Sequence, residues 1–264
     1  MPVTILDVRA FKQRGERFAM LTAYDAPSAR LLDEAGIPVI LVGDTLGMVV
    51  LGHPTTIPVT MDDMVHHTAA VVRGAQNALV VGDMPFMSYQ ASVDDAVRNA
   101  GRLLKEGGAG AVKLEGAGRS VEVAARLTEA GIPVMGHLGL TPQSVKQLSG
   151  HRVQGKTEEA AARIRSSAKE LEAAGAFAVV LEAVPSVVAQ EVTSGLAIPT
   201  IGIGAGPHCD AQVLVWHDFL GISEGRLPRF VKTYASLGAE IRAAAGAFAR
   251  EVADGTYPGP EHTY

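Results

Sequence analysis

The 264-residue chain has one cysteine, one tryptophan and few aromatic residues (5%), and its apolar runs are all short. Because Cys209 is alone, no intrachain disulfide can form. The first stretch, MPVTILDVRAFKQRGER, lacks the apolar core of a secretion signal, so a reducing cytoplasm is the expected compartment. The longest apolar stretches are broken by Asp, Gly or His well before the roughly 20 residues that a membrane span requires, and no membrane role is expected. Excess charge is small: 23 Lys+Arg against 28 Asp+Glu give a net charge of −5, with no basic stripe and no aromatic platform. Nucleic acid is therefore not an expected partner.

What the chain does have is apolar content, 47% hydrophobic against 19% charged, enough to bury a large core. Strand and helix patterns alternate without a break, which favours one α/β unit over the whole of 1–264. The end, DGTYPGPEHTY (254–264), reads as a mobile tail without a core of its own.

Repeats are visible in the letters. EAGIPVILVGD (34–44) returns as EAGIPVMGHLG (129–139) and, more loosely, as GLAIPTIGIGAG (195–206), while GAGAVKLEGA (108–117) returns as GAFAVVLEAV (175–184). Each repeat is the end of an Ala-rich helix, a glycine suited to the left-handed residue beyond it, and a short strand rich in Val, Ile and Leu. Strands are expected over 18–24, 39–43, 78–82, 111–114, 133–136, 177–181, 200–203 and 212–216, with helical patterns in most of the gaps. Eight strands apolar throughout, and so covered on both faces, predict a closed (βα)₈ TIM barrel; an open doubly wound sheet is the competing arrangement.

In such a barrel the active site lies at the carboxyl ends of the strands, so polar residues that close apolar strands gather at one mouth. Here the closers are Asp25, Asp44, Asp83, Lys113 with Glu115, His137, Glu182, the glycine turn 202–206, and His217 with Asp218. In AVKLEG the period of two puts Lys113 and Glu115 on one face. At any one of these positions an aspartate explains itself more readily as the N-cap of the next helix. Asp44, Asp83 and Glu115 together are harder to explain that way, because three carboxylates at one mouth repel one another unless a cation is present. Oxygen-only ligands suit Mg²⁺ or Mn²⁺, and Lys113 brings three carboxylates and a dication to rough neutrality. His137 is read as a hydrogen-bond donor to substrate, with a buried structural histidine as the alternative. Glu182 closes the apolar strand FAVVLEAV, where a raised pKa would suit a general base for a carbon acid; a salt bridge or a helix cap has equal standing from that segment alone. GIGAG (202–206) lacks the Lys-Ser/Thr of a nucleotide loop and the full dinucleotide fingerprint, leaving close backbone approach or tight packing.

Nine strings carry a resemblance: TAYD (22–25), VGDTLGM (42–48), GDMPF (82–86), VKLEG (112–116), GHLGLTPQ (136–143), QGKT (154–157), VLEAVP (180–185), TIGIGAG (200–206) and CDAQVLVWHD (209–218). In this order and spacing the chain resembles the 3-methyl-2-oxobutanoate (ketopantoate) hydroxymethyltransferase family over nearly its whole length. The resemblance implies a (βα)₈ barrel of the phosphoenolpyruvate/pyruvate type that uses Mg²⁺ and 5,10-methylenetetrahydrofolate to add a hydroxymethyl group to a branched 2-oxo acid. That reaction is the first committed step toward pantothenate, and the family is typically a homodecamer. Carried over by motif, Asp44, Asp83 and Glu115 bind the metal; Thr45 and Lys113, with Asp44, Asp83 and His137, hold the oxo acid; and Glu182 is the base. Two positions depart from the family pattern: Thr45 stands where Ser is usual, keeping the hydroxyl, and Ala211 where Gly is usual, which disfavours a positive φ there.

The long segments 47–60 and 138–157, rich in Gly, Pro and Thr, are the expected lids. A carbon–carbon lyase on the same barrel would be expected to carry its cysteine in a lid, whereas Cys209 follows the glycine turn. An oxo-acid sensor would have no need of the metal triad, the lysine and the extra glutamate. The amphipathic stretch 238–252 suits either the outside of the barrel or a subunit contact.

Overall fold

The computed structural model describes all residues except Met1, His151, Glu224 and Arg226. The chain divides into two compact units, one ending at Leu214 and one running Val215–Tyr264. In the first, the order is α1 (Ile5–Gln13), β1 (Phe18–Thr22), α2 (Ala26–Glu34), β2 (Val39–Val42), α3 (Leu46–Val49), α4 (Met61–Gly74), β3 (Leu79–Asp83), α5 (Val93–Lys105), β4 (Ala111–Glu115) and α6 (Arg119–Glu129). There follow β5 (Val134–Gly139), α7 (Glu158–Ala173), β6 (Ala178–Glu182), α8 (Ser186–Gly195), β7 (Thr200–Ile203) and β8 (Ala211–Leu214).

The eight strands pair in chain order, all parallel, and β8 returns to β1, so the sheet is a closed barrel and not an open one. All eight lie where the hydrophobic runs place them. The main differences are at the ends: β1 stops at Thr22, β8 at Leu214, and β5 continues to Gly139. Between β7 and β8 the chain makes only the seven-residue turn 204–210, without a helix. Helix starts follow the capping rules, with Thr4 and Thr60 forming capping boxes and Asp25, Ser92 and Thr157 accepting from the first turns of α2, α5 and α7.

Strand period two sorts the side chains. Met20, Val39, Leu41, Leu79, Val81, Ala111, Met135, Ala178, Val180, Ile201, Ala211 and Val213 form one buried cluster inside the barrel. Val3, Ile5, Val8 and Phe11 of the α1 segment pack against it, Phe11 stacking on Phe18 at 5.0 Å, and so close the amino-terminal end. Lys12 Nζ donates there to Thr193 O (2.7 Å) and pairs with Asp210 Oδ2 (2.9 Å), which also accepts from Thr200 N (2.8 Å). Ala211 stands in extended β8, and no positive φ is required of it.

The second unit holds α9 (Trp216–Phe219) and α10 (Leu237–Ala253), so the amphipathic stretch does form a helix. Its ring contacts run Trp216–Phe219–Tyr234 and Phe248–Tyr257–His262. No helix of the described residues is long and apolar enough to cross a membrane.

Candidate active site

The inward columns of the barrel end in charge. Above Leu79 and Val81 comes Asp83, above Ala111 come Lys113 and Glu115, above Met135 comes His137, and above Ala178 and Val180 comes Glu182, all by the same period of two. Register sets them side by side: Asp83 pairs with Lys113 and Glu115 with His137. Asp44, in the turn after β2, joins them, its amide donating to Asp83 Oδ2 (3.3 Å). Asp44, Asp83, Lys113, Glu115 and His137 are all buried.

Lys113 Nζ lies 2.9 Å from Asp83 Oδ1 and 3.9 Å from Glu115 Oε1. His137 Nδ1 lies 3.4 Å from Glu115 Oε1, and its Nε2 lies 3.1 Å from Glu182 Oε2. Burial and the neighbouring Lys113 cation pull the imidazole pKa down, but its bonds to Glu115 and Glu182 outweigh them and push it up to about 9. Its Nδ1 also lies 3.3 Å from Lys113 Nζ. Burial and the adjacent Asp83 and Glu115 charges raise Asp44 well above the usual carboxylate range. Asp83 is also raised, by burial, with Lys113 opposing. Glu115 is lowered in spite of burial, because His137, Lys113 and the Gln143 amide favour its charge.

Gln143, from the 3₁₀ turn Pro142–Ser144 after β5, sits within this group. Its backbone N donates to Glu115 Oε2 (3.1 Å), and its side-chain Nε2 donates to Asp44 Oδ2 (3.0 Å) and Met84 O (2.9 Å). Tyr89 OH donates to Gln143 Oε1 (2.8 Å) and accepts from Glu115 N (3.0 Å). Sequence reasoning missed both residues. Gln143 lies inside GHLGLTPQ but carries no charge to draw attention, and Tyr89 is an aromatic in a loop, MPFMSYQA, whose inward aim no periodicity predicts.

Glu182 is held by unusual backbone. The next residue, Ala183, has φ 47°, rare for a residue with a Cβ; its N donates to Ile203 O and its O accepts from Gln154 N, both at 2.9 Å. Gly139, φ 96°, passes so close that a Cβ there would stand 2.2 Å from Glu182 O. The surroundings of this carboxylate are not the apolar ones its strand suggested, since an imidazole faces it.

Asp25 is the N-cap of α2, accepting from Ser28 N (2.7 Å) and Ser28 Oγ (2.6 Å). Thr45 is half-buried at the start of α3, where its hydroxyl makes no cap bond. His217 and Asp218 lie in the second unit, in α9. In the glycine turn, a Cβ on Gly206 would meet Ser186 Oγ at 2.3 Å, so packing against the start of α8 accounts for that glycine. Of the expected lids, 47–60 holds α3, and 138–157 holds the Gln143 turn and the Gln154–Ala183 bond; His151 lies outside the described residues.

The donor set fits a hard dication. Four carboxyl groups, Asp44, Asp83, Glu115 and Glu182, stand around the two basic side chains Lys113 and His137, and Asp83 Oδ1 and Glu115 Oε1 receive no well-directed hydrogen bond. Among the described residues no three His, Cys, Asp or Glu side chains stand as a ready-made ion cage. Cys209 is buried, its thiol pushed up by that burial, and a Cβ on Gly202 would touch its Sγ at 3.0 Å, so it is not a nucleophile presented by a lid.

The family model described as ketopantoate hydroxymethyltransferase matches residues 2–260. The chain belongs to this family. It is 60% identical over 262 residues to the 3-methyl-2-oxobutanoate hydroxymethyltransferase of Thermobifida fusca (99% of this chain, 93% of that one) and 59% identical over 262 residues to that of Syntrophus aciditrophicus (99% and 96%). Among solved structures, 2,3-dimethylmalate lyase, a PEP mutase/isocitrate lyase superfamily member, aligns with TM-score 0.63 at 17% identity (100% of this chain, 89% of that one). Phosphonopyruvate hydrolase aligns with TM-score 0.64 at 14% identity (99% and 93%). At such identities these two show the barrel fold of the chain and nothing more.

Proposed function

We propose that the chain transfers a hydroxymethyl group from 5,10-methylenetetrahydrofolate to 3-methyl-2-oxobutanoate, with Mg²⁺ held by Asp44, Asp83 and Glu115. The observation that carries this reading is the buried carboxylate group around Lys113, with Glu182 set apart from it by one imidazole. When bound, the dication supplies a Lewis acid that draws charge from the keto oxygen and makes C3 more acidic. Lys113 and the Thr45 hydroxyl bind the carboxylate end of the oxo acid. Glu182 accepts the C3 proton, and His137 holds it in place through Nε2. C3 bonds to the methylene carbon as one of its two C–N bonds to the folate opens, and water then takes the place of the second nitrogen on that carbon to give the hydroxyl. Tetrahydrofolate leaves with both nitrogens as N–H, one proton coming from C3 by way of Glu182 and the other from the water. Segments 47–60 and 138–157 close over the mouth and keep water from the carbanion. The reading also carries a place at the first committed step toward pantothenate, a cytoplasmic location and a homodecameric assembly.

The test is proton NMR of 3-methyl-2-oxobutanoate in deuterated water with the purified protein and no folate. Loss of the C3 proton signal with Mg²⁺ and its persistence with excess chelator is the expected result. If the signal persists in both and no hydroxymethyl product forms on adding methylenetetrahydrofolate, the proposal fails.

A further inference from the structure

Gln143 uses every hydrogen-bonding position of its side chain, and all its partners belong to the walls of the mouth. Nε2 faces two acceptors, Asp44 Oδ2 and Met84 O; Oε1 faces two donors, Tyr89 OH and Gln90 Nε2 (2.9 Å). Turning the amide over would set NH₂ against donors and oxygen against acceptors, so its orientation is fixed by the surroundings. Its backbone N occupies Glu115 Oε2 as well. One residue, from the loop after β5, thus holds a carboxylate of β4 and another from the turn after β2.

Tyr89 locks this arrangement. It is buried, and its hydroxyl bridges Gln143 Oε1 and the Glu115 amide, with Glu115 O also near at 3.3 Å. The loop reaches inward through a turn in which Ser88 N donates to Pro85 O (3.1 Å) and Met87 takes φ 66°, while Asn99 Nδ2 from α5 donates to Ser88 O (2.6 Å). A β-turn with positive φ at its third residue ordinarily uses glycine or asparagine there, so Met87 carries strain that the inward seating of Tyr89 offsets.

We infer that Gln143, locked by Tyr89, is a positioning residue that aims the Asp44 and Glu115 carboxylates at a divalent cation. Each of the two carboxylates has one oxygen fixed by Gln143, which sets the direction of the other; Glu115 Oε1 is the oxygen left without a directed donor. The inference rests on the proposed metal reading.

The experiment is Mn²⁺ binding followed by EPR on the full chain, with Mg²⁺ as competitor. The parent protein should bind one Mn²⁺ per chain at this site, and Asp83→Ala should lose it. Gln143→Leu should raise the Kd about 10- to 100-fold, and Tyr89→Phe, which removes only the hydroxyl, about 3- to 10-fold. Both variants should remain folded at the assay temperature, though less stable than the parent, and regain turnover as Mg²⁺ is raised, a recovery that a defect in folding would not show. If Gln143→Leu fails to fold, Tyr89→Phe decides. A Kd within twofold of the parent in the folded variants would overturn the inference and leave the metal reading standing. A parent that binds no Mn²⁺, or an Asp83→Ala variant that binds it as tightly as the parent, overturns both.

Discussion

His137 and Glu182 are joined across adjacent strands, Nε2 to Oε2 at 3.1 Å, and the other imidazole nitrogen faces Glu115 at 3.4 Å. One ring therefore spans the distance between the carboxylates proposed for the metal and the carboxylate proposed as base. If His137 acts by holding Glu182, the two residues form a unit and their losses do not add. Glu182→Gln is expected to slow C3 deuterium exchange by about 10²- to 10⁴-fold, His137→Asn by less, and the double variant no further than Glu182→Gln alone. Exchange rates by NMR on the three proteins check this; a double variant that is slower by the product of the two single effects would show that His137 works independently of Glu182.

Lys113 is the buried cation nearest Asp83, and removing it leaves that carboxylate without its partner. Breaking a buried pair on one side costs about 3–5 kcal/mol. Lys113→Met should lower stability by that order in urea denaturation, and added Mg²⁺ should restore part of it if a cation binds the same acids, since a ligand for the native state stabilises by mass action. Equal midpoints for variant and parent would mean that Asp83 keeps its proton and has no need of the ammonium.

Asp33 tests the electrostatics away from the mouth. It accepts from the amides of Gln76 (3.2 Å), Asn77 (2.9 Å) and Ala78 (2.7 Å), tying α2 to the entry of β3. Burial works against its charge, yet these amides hold its carboxyl below the usual 3.8. Because its folded value is depressed, its contribution is fully present above about pH 4 and is lost as pH falls through the lower folded value. Asp33→Ala should cost about 1 kcal/mol at pH 7, a figure reduced for solvent screening, and the difference from the parent should shrink as pH falls below the usual carboxylate range in pH-dependent urea denaturation.

Much of the barrel and its mouth is legible in the sequence because barrel strands are short, apolar and closed by polar residues. Every strand can be placed from its Val/Ile/Leu run, and period two alone puts Lys113 and Glu115 on one face of β4. The same signal over-counts, since Asp25 closes β1 and only caps α2. It also under-counts: Gln143 and Tyr89 come from loops, where no period relates one side chain to another, and their partners are far away in the chain. The pairing of His137 with Glu182 depends on β5 lying beside β6, a neighbour relation that follows from the closed barrel and not from either segment alone.

Gly139 is where backbone geometry controls the proposed base most directly. It ends β5 opposite Glu182 in the register, with φ 96° and no room for a Cβ, which would fall 2.2 Å from Glu182 O and 2.6 Å from Val184 Cγ2. Gly139→Ala must both hold a strained φ and push back the Glu182 main chain, since a carbonyl cannot swing aside as a side-chain tip can. The expected cost is about 2–4 kcal/mol, adding left-handed strain to overpacking. Catalysis should suffer beyond that loss, because Glu182 and its neighbour Ala183 share the displaced segment and the bond to Gln154. In the folded variant, kcat for the hydroxymethyl transfer should fall at least tenfold while KM for the oxo acid changes little, because the carboxylate-binding side of the mouth is built on β2 and β4. A variant with normal kcat would mean that β6 can shift without moving the proton acceptor, and that Glu182 is not the base.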